Sequence, residues 1–562
     1  MSLIAKRPLQ DDAVALSPRV AEIIAVLALA LASAGMMLTA PVAGDFWWSD
    51  APRHALNGAF VMDLIHDHPF GHATAWAIDY YIRYPSLTII FYPPFFYFVE
   101  AILFALFGVS HMVAQLAETI FVFLLAAGAY AFARQWLPKV AAVGVALLTI
   151  GTPEIAYWGR QVMLDVPAYA LSFVAIVFVC AYLRDAQPKF VYLAAAFFVA
   201  SIYTKYNFAF LLLPAVAAVW MARGFRVLLD RHVLIALGAA FVALLPAAYM
   251  FIRFGAINVD AVAGQPGDMA KDTFASWSFY AYQMPHQLGY PVVVLAILGL
   301  LLALSGRLSV RLEPWAWTLL AVWFLGGYVF VSMIAHKELR HDLMILFPVI
   351  LLAALAAVSL IRHNIAGPAA VLLVGVATYG YSLFWYPPRV VSGYREVARY
   401  VVDHAPPNGV VVFSGYRDGN FTFATREYSK RKDLKVLRAT KLLLKIAVTR
   451  SFGVEQADLD EPAILQMIKD HGVSMIVAQR NFWQDLREMA RFEKALQSAD
   501  FHRVASFPIK GQLEKDDGPD AQGVGTVDVF VPTYKVEKQK APITLDLPII
   551  GATITEQPGQ VR

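Results

Sequence analysis

Four groups of ionisable residues stand where apolar stretches meet polar sequence, and their types suit one kind of chemistry. The first is Asp45, Asp50, Arg53 and His54, in the stretch Gly44-Asp45-Phe46-Trp47-Trp48-Ser49-Asp50-Ala51-Pro52-Arg53-His54. The second runs from Arg160 to Asp165-Val166-Pro167, the third is Tyr203-Thr204-Lys205-Tyr206-Asn207, and the fourth is His336-Lys337-Glu338-Leu339-Arg340-His341. A fixed carboxylate can take the proton from an attacking hydroxyl or amine. Cations can neutralise a departing phosphate, Arg with a planar fork and Lys with a point charge. Aromatic planes beside them can hold a substrate. Together these types suit group transfer from a phosphate-linked donor, and ionisable groups at membrane depth are costly enough to need such a reason.

Each group also has a purely structural reading. Asp50 before Ala51-Pro52 and Asp165 before Val166-Pro167 can cap helices. Lys205 can mark a turn between two short spans, and Lys337 and Arg340 can be snorkelling interfacial residues. Phe46, Trp47 and Trp48 can belong to an interfacial aromatic belt. His54, His66, His68 and His72 invite a metal site, but their spacing fits no recognised ligand motif.

The elements that must position these groups are membrane spans. The chain has 562 residues, 59% hydrophobic and 16% charged, with a mean hydropathy of +0.56. Soluble domains carry about 25% charged residues, so this is an integral membrane protein. A net charge of +4 is too small for its length to suggest nucleic acid. The single cysteine, Cys180, excludes an internal disulfide and a cysteine-based metal site.

Apolar runs fall at 20–41, 88–107, 112–133, 140–152, 166–183, 190–204, 207–222, 233–252, 287–305, 314–335, 342–361 and 366–386. A span needs about 20 residues. The run 140–152 is short, ends in Gly151-Thr152-Pro153, and is expected to be re-entrant. With it excluded, Lys6, Arg7, Arg19, Arg184, Lys189, Arg223, Arg226, Arg231, Arg307, Arg311 and Arg362 fall on one side, the cytoplasmic one. That gives about eleven crossings, N-terminus inside and C-terminus outside. The stretch Ala40-Pro41-Val42-Ala43 faintly resembles a signal-peptide cleavage site, but the apolar segment before it is too long for a signal core.

After Tyr386-Pro387-Pro388 the composition becomes that of a soluble domain. Residues 409–413 and 473–477 read as buried strands, and 394–404, 461–471 and 481–498 as amphipathic helices, the alternation of a small α/β domain. The glycines around Gly415 and Gly419 read as turn residues and make no phosphate loop. The division expected is a transmembrane module 1–386, with a first outer loop 42–87, and an extracytoplasmic domain 387–562.

The order of motifs resembles the GT-C glycosyltransferases, multi-span enzymes that use polyprenyl-phosphate sugars, and in particular the branch of protein O-mannosyltransferases and the lipid A aminoarabinose transferase. Trp48-Ser49-Asp50 matches the acidic site of the first outer loop, and Tyr92-Pro93-Pro94-Phe95-Phe96-Tyr97 the Pro-Pro pair after it. Leu106 to Ser110 matches a short turn, Met163 to Pro167 the second acidic site, Tyr203-Thr204-Lys205 the Thr-Lys turn, and Lys337 to Arg340 before Leu346-Phe347-Pro348 a later cationic cluster. The resemblance spans residues 20–386. It departs from the family pattern at Tyr92, where Lys is common before Pro-Pro, and at Ser49-Asp50, where paired acids are common.

The resemblance implies a polytopic α-helical fold of about 11–12 spans with a small C-terminal α/β domain. It also implies transfer of a sugar from undecaprenyl phosphate to an envelope glycolipid, polysaccharide or protein at the outer face of a bacterial inner membrane. Asp50 is the expected base, with Asp45 as a second carboxylate. Lys205, Lys337, Arg340 and Arg83 are expected at the donor phosphate. Asp165 would orient the acceptor or, with Asp50, hold a divalent metal, and Trp47, Trp48, His54 and Tyr92 would contact sugar or acceptor. A multi-span transporter is the competing class. Against it stand the absence of an internal repeat and the placing of acids at one surface instead of mid-membrane.

Overall fold

A computed structural model describes residues 17–262, 268–361, 365–446, 450, 453–511, 524–547 and 552–556. Lys6, Arg7 and Arg362 of the expected cytoplasmic set lie outside the described residues.

Each apolar run carries a helix. Among the described residues, eight helices are long and apolar enough to cross a membrane: Pro18–Leu38, His111–Ala133, Asp165–Asp185, Tyr206–Leu229, Arg231–Gly255, Pro314–Ser332, Leu343–Leu360 and Ala366–Phe384. Phe274–Leu288 and Tyr290–Leu304 meet at a 112° bend. Gly289 makes that bend at φ +84°, a conformation open to glycine without steric cost. Three shorter apolar helices complete the set: Phe95–Phe107, Lys139–Gly151 and Pro188–Ile202.

The order of passes differs from the sequence expectation at two of these. Lys139–Gly151 is no re-entrant hairpin. At its start Lys139 Nζ donates to the Pro18 carbonyl at 2.9 Å, and at its end Gly151 accepts from Ser382 at 2.6 Å, so it runs between the two ends of the bundle. Small residues let it press on Ala366–Phe384: a Cβ at Gly144 would meet the Val371 backbone at 2.6 Å, and one at Gly375 the Gly144 carbonyl oxygen at 2.3 Å. The helix that fails to traverse is Phe95–Phe107. Its first residue bonds the Tyr203 carbonyl at 2.9 Å. The next helix opens at His111, whose Nδ1 lies 3.0 Å from the Gly44 carbonyl, beyond the far end of Pro18–Leu38. Both ends of Phe95–Phe107 therefore belong to one end of the bundle. The run of His111–Ala133 confirms it, because Tyr130 near its close donates to Glu22 at 2.9 Å.

At the opposite end, Glu313 accepts from Trp136 at 2.8 Å and pairs with Arg184 at 3.3 Å, while Arg223 donates to the Tyr182 carbonyl. Arg134 and Lys139 thus join Arg19, Arg184 and Arg223 there, which concentrates positive charge at one end. The helix Pro18–Leu38 passes through this bundle with Ala25, Leu29 and Met36 buried.

Beyond Phe384 lies a six-stranded mixed sheet. Its spatial order is Val391–Ser392, Phe501–Gly511, Val524–Pro532, Val473–Gln479, Val410–Ser414, Lys435–Arg438. The last three are parallel and almost wholly buried, as their apolar runs require. Helices Tyr394–His404, Asp418–Tyr428, Glu461–Asp470 and Arg487–Ala495 accompany the sheet. The last is shorter than the 481–498 expected, because Asn481 and Trp483 take left-handed backbone at φ 59° and 51°.

The first loop carries two helices, Ala51–Asp67 and Ala73–Arg83, and the sheet domain sits on them. Ile78, Tyr81 and Ile82 pack with Tyr416 and Leu437 of the domain. Arg426 grips Asp63 through two bonds of 2.6 and 2.8 Å.

Candidate functional site

The loop helix Ala51–Asp67 begins with Ala51-Pro52, whose proline suits the first helical turn. Asp50 occupies the capping position, yet its carboxylate makes no cap hydrogen bond. One turn on, His54 is buried, with Nδ1 2.9 Å from the Tyr97 hydroxyl and its ring 5.8 Å from that of Tyr92. Burial pushes the His54 imidazole down to about 4, and Asp50, Lys205, Asp165 and Arg340 are the charges that act on it. One neutral ring therefore stands among groups drawn from four separate stretches of sequence.

Asp165 opens the helix Asp165–Asp185 without capping it. Its Oδ1 accepts from Lys205 Nζ at 2.6 Å, and both side chains are largely shielded from solvent. Its Oδ2 is buried with no hydrogen-bond partner among the described residues. Lys205 follows the tight end of Pro188–Ile202, where Thr204 and Lys205 N–H groups share the Ser201 carbonyl.

Arg340 lies beside a pair of indoles, 5.1 Å from the Trp48 ring centre and 5.4 Å from that of Trp158, the rings themselves 5.0 Å apart and edge-on. Glu338 pairs with its Nε. Burial alone would lower the guanidinium pKa, but Glu338, Asp165, Asp50 and Tyr92 hold it above its ordinary value. The Trp48 indole N–H is buried without a partner among the described residues. An unpaired donor and an unpaired carboxylate oxygen sit beside charges of both signs, an arrangement that suits a polar, anionic ligand.

Other expected residues go elsewhere. Asp45 is 1% exposed, and its two oxygens accept the Tyr394 and Arg395 N–H groups at 2.9 and 3.1 Å, capping the first helix of the sheet domain. Trp47 faces that domain too, with Arg389 over its ring at 4.7 Å and Arg417 bonded to its carbonyl. Arg83 is buried against Asp79 at 2.9 Å and against the Tyr80 and Tyr84 rings. Lys337 donates to the Ser332 carbonyl at 2.7 Å and stands over the Tyr280 ring. The structure brings together Asp50, His54, Tyr92, Trp48, Asp165, Lys205 and Arg340; Asp45 and Arg83 have their partners outside that group, Trp47 lies 5.6 Å from the Trp48 ring while also meeting the sheet domain, and Lys337 spends one of its N–H groups on a backbone carbonyl.

Three contributors escaped sequence reasoning. Tyr97, on His54, follows the Pro-Pro pair by three residues and reads as apolar filler. Trp158 lies two residues before Arg160 and gives no local signal. Glu338 stands between the cations it organises, and its alternation with His336 and Arg340 was the available clue. Arg160 itself binds the carbonyls of Ser382 and Tyr386 at 2.8 and 2.7 Å, tying off the end of Ala366–Phe384.

No cluster of three or more His, Cys, Asp or Glu able to hold an ion exists among the described residues, and the Asp165 Oδ1 is taken by an ammonium.

Residues 92–250 match the family described as dolichyl-phosphate-mannose-protein mannosyltransferase. No curated protein matches the sequence. Among solved structures, the chain is similar to ArnT from Cupriavidus metallidurans bound to undecaprenyl phosphate, at 12% identity and TM-score 0.56, over 90% of this chain and 98% of that one. The apo state of the same protein gives 15% identity and TM-score 0.57, over 91% and 98%. The archaeal oligosaccharyltransferase AglB from Archaeoglobus fulgidus, in complex with an inhibitory peptide and a dolichol-phosphate, gives 14% identity and TM-score 0.50, over 91% and 76%. At such identities the likeness is one of fold, and it extends over the spans and the sheet domain alike. The chain therefore has the fold of these GT-C membrane glycosyltransferases, and within it residues 92–250 resemble the protein mannosyltransferase family.

Proposed function

We propose that this chain transfers a sugar from a polyprenyl-phosphate donor, undecaprenyl phosphate in a bacterial inner membrane, to an acceptor outside the cytoplasm. The observation that carries this reading is the convergence of Asp50, Asp165, Lys205 and Arg340 on His54. In the reaction proposed, Asp50 takes the proton from the acceptor hydroxyl or amine as it attacks the anomeric carbon. The bond from that carbon to the phosphate oxygen breaks, and Lys205 and Arg340 receive the negative charge on the leaving lipid phosphate. Asp165 holds the Lys205 ammonium in place and offers its free oxygen to the acceptor. Trp48 offers an indole face and its N–H to the sugar. Direct displacement inverts the anomeric centre.

The outward placing of the site rests on charge. The end of the bundle opposite to it holds Arg19, Arg134, Lys139, Arg184 and Arg223, the pattern of a cytoplasmic face. The functional division proposed is a transferase module to residue 386 and an extracytoplasmic domain, 387–562, seated on its first loop. The acceptor class proposed is an envelope glycolipid, polysaccharide or protein. Mass spectrometry of envelope lipids and glycoproteins from cells with and without the gene tests this: a species lighter by one sugar in the deletion identifies both substrates, and an unchanged envelope profile refutes the reading.

A further inference from the structure

Asp50 and Arg53 stand one helical turn apart, with the Arg53 N–H on the Asp50 carbonyl at 2.9 Å. Side chains at that spacing are neighbours, and an acid and an arginine so placed pair readily. Here the guanidinium turns away. Its Nη2 lies 3.0 Å from Asp418 Oδ1 and its Nε 3.3 Å from the Ser49 carbonyl. Among the described residues no ion pair joins Arg53 to Asp50.

Asp418 is built to hold it. The residue opens the sheet-domain helix Asp418–Tyr428 and is 8% exposed. Ser86 of the first loop donates to its Oδ2 at 2.6 Å, and Arg438 lies 3.2 Å from the same oxygen. Burial by itself would raise this carboxyl, but Arg438, Arg53 and Ser86 outweigh it and hold it near 2, so it is ionised at any physiological pH. The helix start is pressed onto the catalytic loop, since a Cβ at Gly419 would meet Pro52 Cγ at 2.9 Å and Arg53 Cγ at 3.5 Å.

We propose that Asp418 is a positioning residue for the base: it draws the Arg53 guanidinium off Asp50, leaving that carboxylate unpaired, and so makes turnover depend on the docked sheet domain. A guanidinium resting on Asp50 would lower its proton affinity and occupy the lone pairs that the acceptor proton needs. The proposal rests on Asp50 acting as the base.

The test uses the full chain in nanodiscs, with the polyprenyl-phosphate sugar pool and acceptor lipids extracted from the source membranes, and the product read by mass. Asp418→Asn is expected to lower kcat about tenfold with donor KM within about twofold, and to move the acid limb of the kcat profile down by about one pH unit. Adding Arg53→Gln to that variant is expected to restore kcat to within about threefold of wild type, because the released guanidinium that would occupy Asp50 is gone. A double variant as slow as Asp418→Asn, or an unmoved acid limb, overturns the proposal. Should Asp418→Asn fail to fold, Arg53→Lys replaces it: a point charge without the fork loses the Ser49–Asp418 seat, and kcat falls in the same direction. Unchanged kcat there overturns the proposal equally. A cryo-EM structure of Asp418→Asn separates this idea from the transferase reading. The Arg53 guanidinium found on Asp50 supports it even if wild type transfers no sugar, and a guanidinium left in place sinks it.

Discussion

The Lys205 ammonium lies 2.6 Å from Asp165 Oδ1, joining residues forty positions apart at the meeting of two helix ends. Neither charge is left uncompensated in a poorly hydrated place, and each fixes the other. Lys205→Met should strand a buried carboxylate and cost about 3–5 kcal/mol of stability, the usual result of removing one partner. Lys205→Met combined with Asp165→Leu should recover much of the loss in thermal melting while leaving sugar transfer abolished. Melting curves of the single and double variants check this, and equal destabilisation in both would mean that the pair is not coupled.

Asp50→Asn should leave folding and donor binding intact and reduce transfer by about 10²–10⁴, the range for loss of a general base. Turnover near wild type would remove Asp50 from that role. Asp45→Asn, by contrast, should act on the seating of the sheet domain through loss of a helix cap worth about 1 kcal/mol.

Arg340→Lys should not rescue Arg340→Ala. The guanidinium lies against both the Trp48 and the Trp158 rings, and an ammonium lacks its flat shape and the fork for phosphate oxygens. Both variants should raise donor KM by about tenfold or more, the scale of one charge-assisted contact. Lys337→Ala, whose ammonium already donates one bond to the Ser332 carbonyl, should raise donor KM less than the Arg340 variants do. Steady-state kinetics with varied donor separates the two positions.

His336 bridges Asp268 at 2.9 Å and Glu338 at 3.1 Å, tying the outer loop to the segment that holds Arg340. The hydrogen bond that His336 donates to Glu338 is the main cause of its raised pKa, with Asp268 adding to it against burial. The sign follows: the folded state binds the proton more tightly, so this stabilisation is complete below the ordinary value of 6.5 and is lost as pH rises through the raised one. The melting temperature of wild type should therefore fall toward that of His336→Gln between pH 6.5 and mildly alkaline pH. A constant gap between the two across that range would show that the bridge does not titrate.

Ser110→Cys and Lys139→Cys, in a background with Cys180 replaced, should be labelled by an impermeant thiol reagent from opposite sides of the membrane, Ser110 from the side of the site. Labelling of Ser110→Cys from the cytoplasmic side and of Lys139→Cys from the side of the site would restore the sequence-based order of passes.

Composition and run length made the class legible, because hydrocarbon admits only apolar segments that satisfy their own backbone. The positions of twelve apolar runs, the soluble segment after Pro388, its first helix at 394–404 and the order of motifs around Asp50, Pro93-Pro94, Asp165, Lys205 and Arg340 are all local properties, and the sequence alone carried them. It did not carry which run traverses. Lys139–Gly151 lies along Ala366–Phe384 from one end of the bundle to the other because Gly144 and Gly375 let the two helices touch, a contact between residues far apart in the chain. Nor did it distinguish neighbours of the same type: Asp45 from Asp50, Trp47 from Trp48, Lys337 from Arg340. In each pair one side chain is bonded into the surrounding architecture and the other stands in the candidate cluster. That division depends on where the sheet domain docks and on which way a side chain turns at a helix start, and only the packed three-dimensional arrangement sets either.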